Sequence, residues 1–212
     1  TLRQAKKMLE PINNLQIVQA ISNTFKKTLS AQQFKAVKFL SALEGFVPTL
    51  LYGVTGSGKT EVYIRCISEA LLKNKSSLIL APEIALIPQL EERLKNQFGA
   101  LVGIYHSKMI PSARYKSWQK FREGNIKIMI GTRSAVMLPA PRLGLIIIDE
   151  EHDASYKQNE GFKFSARDLA IKRAQILKIP IILGSATPSL RTLKLVEEKK
   201  FNIIKLTKRI TD

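Results

Sequence analysis

The chain contains a single cysteine, Cys66, among its 212 residues. One thiol closes no disulfide and supplies no Cys-x-x-Cys pair, so neither a disulfide framework nor a zinc ribbon can be built from this sequence. Such cysteine usage fits a reducing cytosol. Long apolar runs are missing too. The longest, such as Leu143–Ile148, are about six residues, against the roughly 20 that a membrane-spanning helix needs. No apolar segment of signal-peptide type opens the chain. It begins with Thr1 rather than Met, which reads as a piece of a longer protein. Acidic residues are scarce: 17 Asp and Glu face 34 Lys and Arg, for a net charge of +17. Solubility asks for only about 2–8 charges on a small domain. The excess therefore points to a polyanionic partner, of which nucleic acid is the commonest.

What the chain does have is alternation. Hydrophobic residues make up 45% and charged residues 24%, the balance of a globular domain able to bury a core. Residues 1–28 are polar and basic and read as a linker or the tail of a preceding domain. The main domain runs from Leu29 to Asp212. Within it the runs 49–54, 77–82, 101–106, 126–131, 143–149, 180–185 and 202–206 read as strands, several of them apolar on both faces. Between them, 31–43, 59–72, 88–98, 112–122, 166–177 and 189–198 carry helical period. This alternation predicts an α/β fold, a mostly parallel central sheet flanked by helices on both faces, with its site at the C-terminal strand ends.

The first such end carries Gly53-Val54-Thr55-Gly56-Ser57-Gly58-Lys59-Thr60. It is the full G-x-x-x-x-G-K-T phosphate loop, set between a strand and a helix as its mechanism requires. The glycines let the backbone close around phosphate. Amides of Thr55, Gly56, Ser57 and Gly58, together with the following helix N-terminus, face the anion. Lys59 reaches the β- and γ-phosphates, and the Thr60 hydroxyl is a Mg²⁺ ligand.

The strand 143–148 ends in Asp149-Glu150-Glu151-His152. An aspartate at such a strand end holds Mg²⁺ in phosphate-loop enzymes, which assigns Asp149 to the metal and leaves Glu150 to polarise the attacking water. Lys59, Asp149 and Glu150 are thus the candidate catalytic set. The triplet Ser185-Ala186-Thr187 follows another apolar run, and Thr187-Pro188 also has the character of a helix start with Thr as N-cap. His106 closes the 101–105 run and suggests no chemistry of its own.

The tetrad at 149–152 resembles the Asp-Glu-Ala-His box of superfamily 2 helicases, and Ser185-Ala186-Thr187 resembles their third motif. The resemblance implies that His152, Ser185 and Thr187 couple the nucleotide site to the rest of the motor. Longer stretches resemble the PriA family of replication-restart helicases. They are Ala81–Leu86 with Pro88-Gln89, Tyr105-His106-Ser107, Gly131–Val136, and above all Asp149–Asp153 through Ser155–Gln158 to Ser165–Asp168. The likeness covers about residues 29–207. Leu29-Ser30-Ala31-Gln32-Gln33 resembles the family's entry motif, in which a glutamine reads adenine, a role that falls on Gln33. Two positions depart from the family pattern: Ile87 stands where a threonine is common, and Ala113 where a glutamate is.

The resemblance implies a RecA-like P-loop NTPase, the first lobe of an ATP- and Mg²⁺-dependent DNA helicase, with no zinc in this segment. It also implies 3′-to-5′ translocation, and unwinding and primosome assembly at stalled or forked replication structures, in a bacterial cytoplasm beside the nucleoid. Its partners would be single-stranded and forked DNA, single-stranded-DNA-binding protein and primosome proteins. Single-stranded DNA would cross the segments holding Pro82, Glu83 and Gln89 and then Thr132, Arg133 and Ser134. The stretch from Tyr156 and Lys157 through Phe162 and Phe164 to Arg167 interleaves aromatics with cations, the composition for stacking bases while neutralising backbone. The Arg finger of such motors comes from a second lobe, so this segment alone is expected to bind nucleotide and unwind little. Two other readings stand beside this one. Another superfamily 2 translocase, RecG-like or of restriction type, would share the motor chemistry. A basic DNA-binding module would retain only a vestigial nucleotide site.

Overall fold

The computed structural model describes residues 28–210; the polar segment 1–27, read above as linker or tail, lies outside them. Seven strands form one sheet: β1 (Pro48–Gly53), β2 (Ser76–Leu80), β3 (Val102–Tyr105), β4 (Ile128–Gly131), β5 (Leu143–Ile148), β8 (Ile181–Ser185) and β9 (Asn202–Leu206). Their order is β3-β4-β2-β5-β8-β1-β9, and every pairing between them is parallel. Parallel neighbours need a crossover, usually a helix. α1 (Ala31–Ser41) leads into β1, and the crossover helices are α2 (Lys59–Leu72), α3 (Ile87–Phe98), α4 (Pro111–Arg122), α5 (Ala166–Leu177) and α6 (Leu190–Glu197). A small antiparallel hairpin, β6 (Lys157–Gln158) with β7 (Phe164–Ser165), stands apart from the sheet and was not legible in the sequence.

The strands are apolar on both faces because both faces are covered. Along β2, Ile79 joins the cluster under α1, α2 and α3, which includes Val62, Ile67, Leu90 and Leu94. Its neighbours Leu78 and Leu80 point the other way, into the cluster of Phe121 on α4 and Ala166, Ala170 and Ala174 on α5. β5 repeats the alternation, with Ile147 on the first side and Ile146 and Ile148 on the second. Each of these aliphatic side chains, fully removed from water, contributes roughly 1.5–3 kcal/mol.

Element ends differ from the sequence reading where local turns intervene. A 3₁₀ turn over Gly99–Leu101 delays β3 to Val102. The α6 cap is Ser189, whose hydroxyl accepts from the Thr192 amide, rather than Thr187. That shift leaves Thr187 in the loop, where its hydroxyl has another partner. Because all seven strands run in one direction, their C-terminal ends share one edge, and the loops after β1, β2, β4, β5 and β8 meet there.

Candidate nucleotide-binding site

The phosphate loop wraps the end of β1. Gly56 and Gly58 adopt left-handed backbone (φ +80° and +77°), which favours glycine. Space is as restrictive as conformation. A Cβ on Gly53 would meet Ser57 Oγ at 2.5 Å, and one on Gly58 would meet Gln33 Nε2 at 2.4 Å. Ser57 Oγ is buried with no hydrogen-bond partner among the described residues. An orphaned polar atom inside a loop of this shape fits one that closes fully only around an anion. Lys59 opens α2, and its Nζ donates to the Gly53 carbonyl at 3.0 Å.

The acidic box enters the same cavity. Asp149 and Glu150 line a space of about 600 Å³ together with residues 54–60, Leu86, Gln89, Arg93 and Ile210. Glu150 Oε1 lies 3.4 Å from Lys59 Nζ, so the two motifs converge at salt-bridge distance. Glu150 holds φ at +45°, a conformation that costs a non-glycine residue about 1–3 kcal/mol and that clusters at functional sites. Burial pushes the Asp149 carboxyl above the usual carboxylate range, and the Glu150 charge adds to the shift. The Tyr63 hydroxyl and Lys59 oppose it. Tyr63 OH donates to Asp149 Oδ1 at 2.9 Å. Burial, reinforced by Asp149, holds the Tyr63 proton well above its ordinary range, so the phenol remains a donor. Among the described residues no group of three or more His, Cys, Asp or Glu could cage a metal ion. The Asp149 carboxylate and the Thr60 hydroxyl border the same cavity instead. That pair fits Mg²⁺, which keeps waters and nucleotide phosphates in its shell.

A second layer fixes the box. His152 Nδ1 lies 2.8 Å from Ser185 Oγ, and Nε2 lies 3.1 Å from Thr187 Oγ1. The triplet after β8 is thereby joined to the box through one imidazole. Glu151, 1% exposed, is bound more tightly. Its Oε2 accepts from Arg167 Nε at 2.7 Å and Thr192 Oγ1 at 2.8 Å, and its Oε1 accepts from the Ser189 amide at 2.8 Å. Tyr156 OH reaches the Leu80 and Asp149 carbonyls at 2.8 and 2.6 Å, linking the ends of β2 and β5.

These contacts correct two expectations. Tyr156 and Arg167 are assigned to DNA by their place in an aromatic-basic stretch, yet they are 1% and 8% exposed. Their polar atoms serve the interior, so neither offers a surface to a strand. Other candidates fall differently. Pro82 is buried, and its carbonyl accepts from Ser155 Oγ at 2.7 Å. Thr132 is nearly buried. Arg133 is half-buried, its NH1 donating to the Ser155 and Lys157 carbonyls. Glu83, Ser134, Lys157 and Phe162 are exposed, and Phe164 packs against Phe162 with centroids 6.0 Å apart. Gln89 lines the nucleotide cavity. Gln33 is 2% exposed. Its Oε1 accepts from the Ser30 amide, completing a capping box, and its Nε2 donates to the Gly58 carbonyl at 3.2 Å. The glutamine therefore braces the phosphate loop. His106 Nδ1 is buried without a hydrogen-bond partner among the described residues.

Sequence reasoning missed Tyr63, Arg93 and Ile210. Tyr63 stands one helical turn after Lys59, a spacing that places two side chains on one face. Arg93 carried no signal, because the wall it joins is set by how α3 packs. Ile210 arrives through the chain after β9, where its amide donates to the Gly56 carbonyl at 2.9 Å.

The parallel sheet, the phosphate loop and the acidic strand end define a RecA-like nucleotide-binding lobe. Residues 30–196 match the DEAD/DEAH box helicase family, and the chain belongs to that family. It is 46% identical to the replication restart protein PriA of Haemophilus influenzae over 182 residues, which are 86% of this chain and 25% of that protein. To the PriA of Bacillus subtilis it is 42% identical over 161 residues, 76% of this chain and 20% of the relative. The chain thus spans about a quarter of the length of the curated relatives it matches. Among solved structures, RecG bound to a three-way DNA junction superposes with a TM-score of 0.66 at 21% identity, covering 99% of this chain and 28% of RecG. A DEAD box protein from Methanococcus jannaschii superposes at 0.62 with 20% identity, covering 93% of this chain and 55% of that one.

Proposed function

We propose that this chain is the ATP-binding lobe of a DNA helicase of the replication-restart type. Its role is to couple Mg²⁺-dependent ATP hydrolysis to 3′-to-5′ movement and unwinding at forked or stalled replication structures, where primosome proteins assemble. The observation that carries the reading is the approach of Lys59 to Glu150 at 3.4 Å across a cavity that also holds Asp149 and Thr60. Phosphoryl transfer needs mainly positioning and charge stabilisation. The loop amides and Lys59 bind and orient the β- and γ-phosphates. Thr60 and Asp149 would hold Mg²⁺, which would supply neutralisation of phosphate charge. Glu150 orients the attacking water and accepts its proton. Lys59 and Glu150 pair at 3.4 Å across the cavity, and a triphosphate there would compete with Glu150 for the ammonium. Gln89 borders the site from α3, and Gln33 braces the phosphate loop from α1 through its bond to the Gly58 carbonyl. His152, with Ser185 and Thr187, transmits the nucleotide state toward DNA.

Single-stranded DNA is assigned to the edge formed by Glu83, Ser134, Lys157, Phe162 and Phe164, with Thr132 and Arg133 shaping its floor. A charge of +17 favours such a partner. Single-stranded-DNA-binding protein and a bacterial cytoplasmic location belong to the same proposal. The test is DNA-stimulated ATP turnover in the full-length protein and in its Lys59→Ala variant. Loss of turnover with DNA binding retained supports the motor. Unchanged turnover refutes it.

A further inference from the structure

Helix α4 covers one outer margin of the sheet, yet among its twelve residues only Phe121 is buried. By contrast, α2 buries nine. What α4 turns outward is aromatic and basic. Tyr115 is 62% exposed, and Ile110, just before the helix, is 67% exposed. The Tyr115 and Trp118 rings stack at 5.7 Å with 25° between their planes, and the Arg122 guanidinium lies 5.2 Å from the Trp118 centroid. Between this pair and the end of β3 opens a cleft of about 290 Å³, walled by Tyr105, Pro111, Arg114, Tyr115 and Trp118.

We propose that this cleft is a stacking site for an unpaired base of single-stranded nucleic acid, separate from the nucleotide cavity. Three observations favour that occupant. The rings are stacked, Trp118 packed against the core below and Tyr115 exposed above, so a further planar group extends an existing stack. Base–aromatic stacking tolerates any base sequence. The charged groups within α4 itself are all cationic. Arg114, Lys116, Lys120 and Arg122 lie on the helix, and among the described residues none has a carboxylate within salt-bridge distance. The one acid nearby, Glu123, is taken up by the Gln119 and Asn125 amides at 2.9 and 3.1 Å. The cleft is also continuous with the segment after β4: the Thr132 amide donates to the Tyr105 carbonyl at 3.4 Å. A strand lying over Thr132–Ser134 therefore reaches the cleft without turning back. The inference rests on the proposed DNA-binding reading for the direction of that strand.

Trp118 is the chain's only tryptophan, so its emission reports on this site alone. The test titrates the 212-residue chain with a short oligothymidylate, reading tryptophan emission and the anisotropy of a labelled oligonucleotide. The expected result is saturable quenching whose midpoint matches the anisotropy. Tyr115→Ala should weaken binding about 5- to 150-fold, as loss of one stacked base does. Trp118→Phe should lose the emission signal while the anisotropy still reports binding. Because Tyr115 is exposed, its truncation leaves the core intact, and the unfolding midpoint checks this. Binding without quenching, no binding, or an unchanged affinity in Tyr115→Ala would each overturn the inference. Equal quenching by polyglutamate would overturn it in favour of an acidic protein partner. The readout uses no ATP, so its failure is distinguishable from failure of the motor reading.

Discussion

Replacing Arg167 with methionine separates an interior cation from a DNA-binding one. Its side chain is 9% exposed and its partner Glu151 is fully enclosed, with Nε to Oε2 at 2.7 Å. Methionine fills similar volume and leaves the carboxylate with only neutral donors, Ser189 and Thr192. Removing one partner of a buried ion pair costs about 3–5 kcal/mol, because an uncompensated charge remains inside. With a urea slope near 2 kcal/mol/M, the unfolding midpoint should fall by about 2 M. The double variant Glu151→Leu/Arg167→Met should recover much of that loss, since replacing both charges by apolar groups is often close to neutral. Binding of single-stranded DNA by folded Arg167→Met should keep its salt dependence. A phosphate-contacting cation would lower the slope by about one. A loss of stability below about 0.5 kcal/mol, the scale of an ordinary surface change and about 0.25 M in midpoint at that slope, combined with a reduced salt slope would refute the buried assignment.

Two further outcomes follow from the same contacts. The Asp149 carboxyl is raised above its ordinary pKa by burial, so the native state holds its proton longer than the unfolded chain does. Its effect on stability is therefore most favourable below the unfolded value and is lost as pH rises through the folded one. Asp149→Asn should stabilise the nucleotide-free protein at neutral pH while abolishing ATP turnover. Thermal unfolding at pH 4 and pH 8 checks the sign, and a variant equally or less stable at pH 8 would contradict it. His152→Ala removes the link at 2.8 and 3.1 Å to Ser185 and Thr187. In the full-length protein, the ratio of DNA-stimulated to basal turnover should fall toward one, and an unchanged ratio would exclude the coupling role.

The fold and the phosphate chemistry were legible because their signals are contiguous. Residues 53–60 carry a loop, its glycines and its lysine in one run, and α2 and α5 begin and end where the periodicity places them. The convergence of Lys59 with Glu150 followed from the parallel topology, which brings strand ends to one edge. What the sequence hid depends on which way a side chain turns. Arg167 and Lys157 look alike in an aromatic-basic stretch, yet one is interior and the other exposed. The stripe Ala166, Ala170 and Ala174 marks the buried face of α5, and Arg167 adjoins it, a clue that composition alone conceals. Arg93 depends on packing between elements distant in the chain, for which no local pattern exists, whereas Tyr115, Trp118 and Arg122 stand at helical spacing on one face of α4.

The central claim is that the phosphate loop and the acidic strand end grip one metal–triphosphate. The most direct measurement is the affinity of a fluorescent ATP analogue as a function of Mg²⁺ concentration, in the wild-type chain and in Thr60→Ala and Asp149→Asn. Mg²⁺ should tighten binding to the wild type and should lose that effect in both variants, although Thr60 and Asp149 belong to different elements. Full Mg²⁺ dependence in both variants would show that the two motifs do not share a ligand.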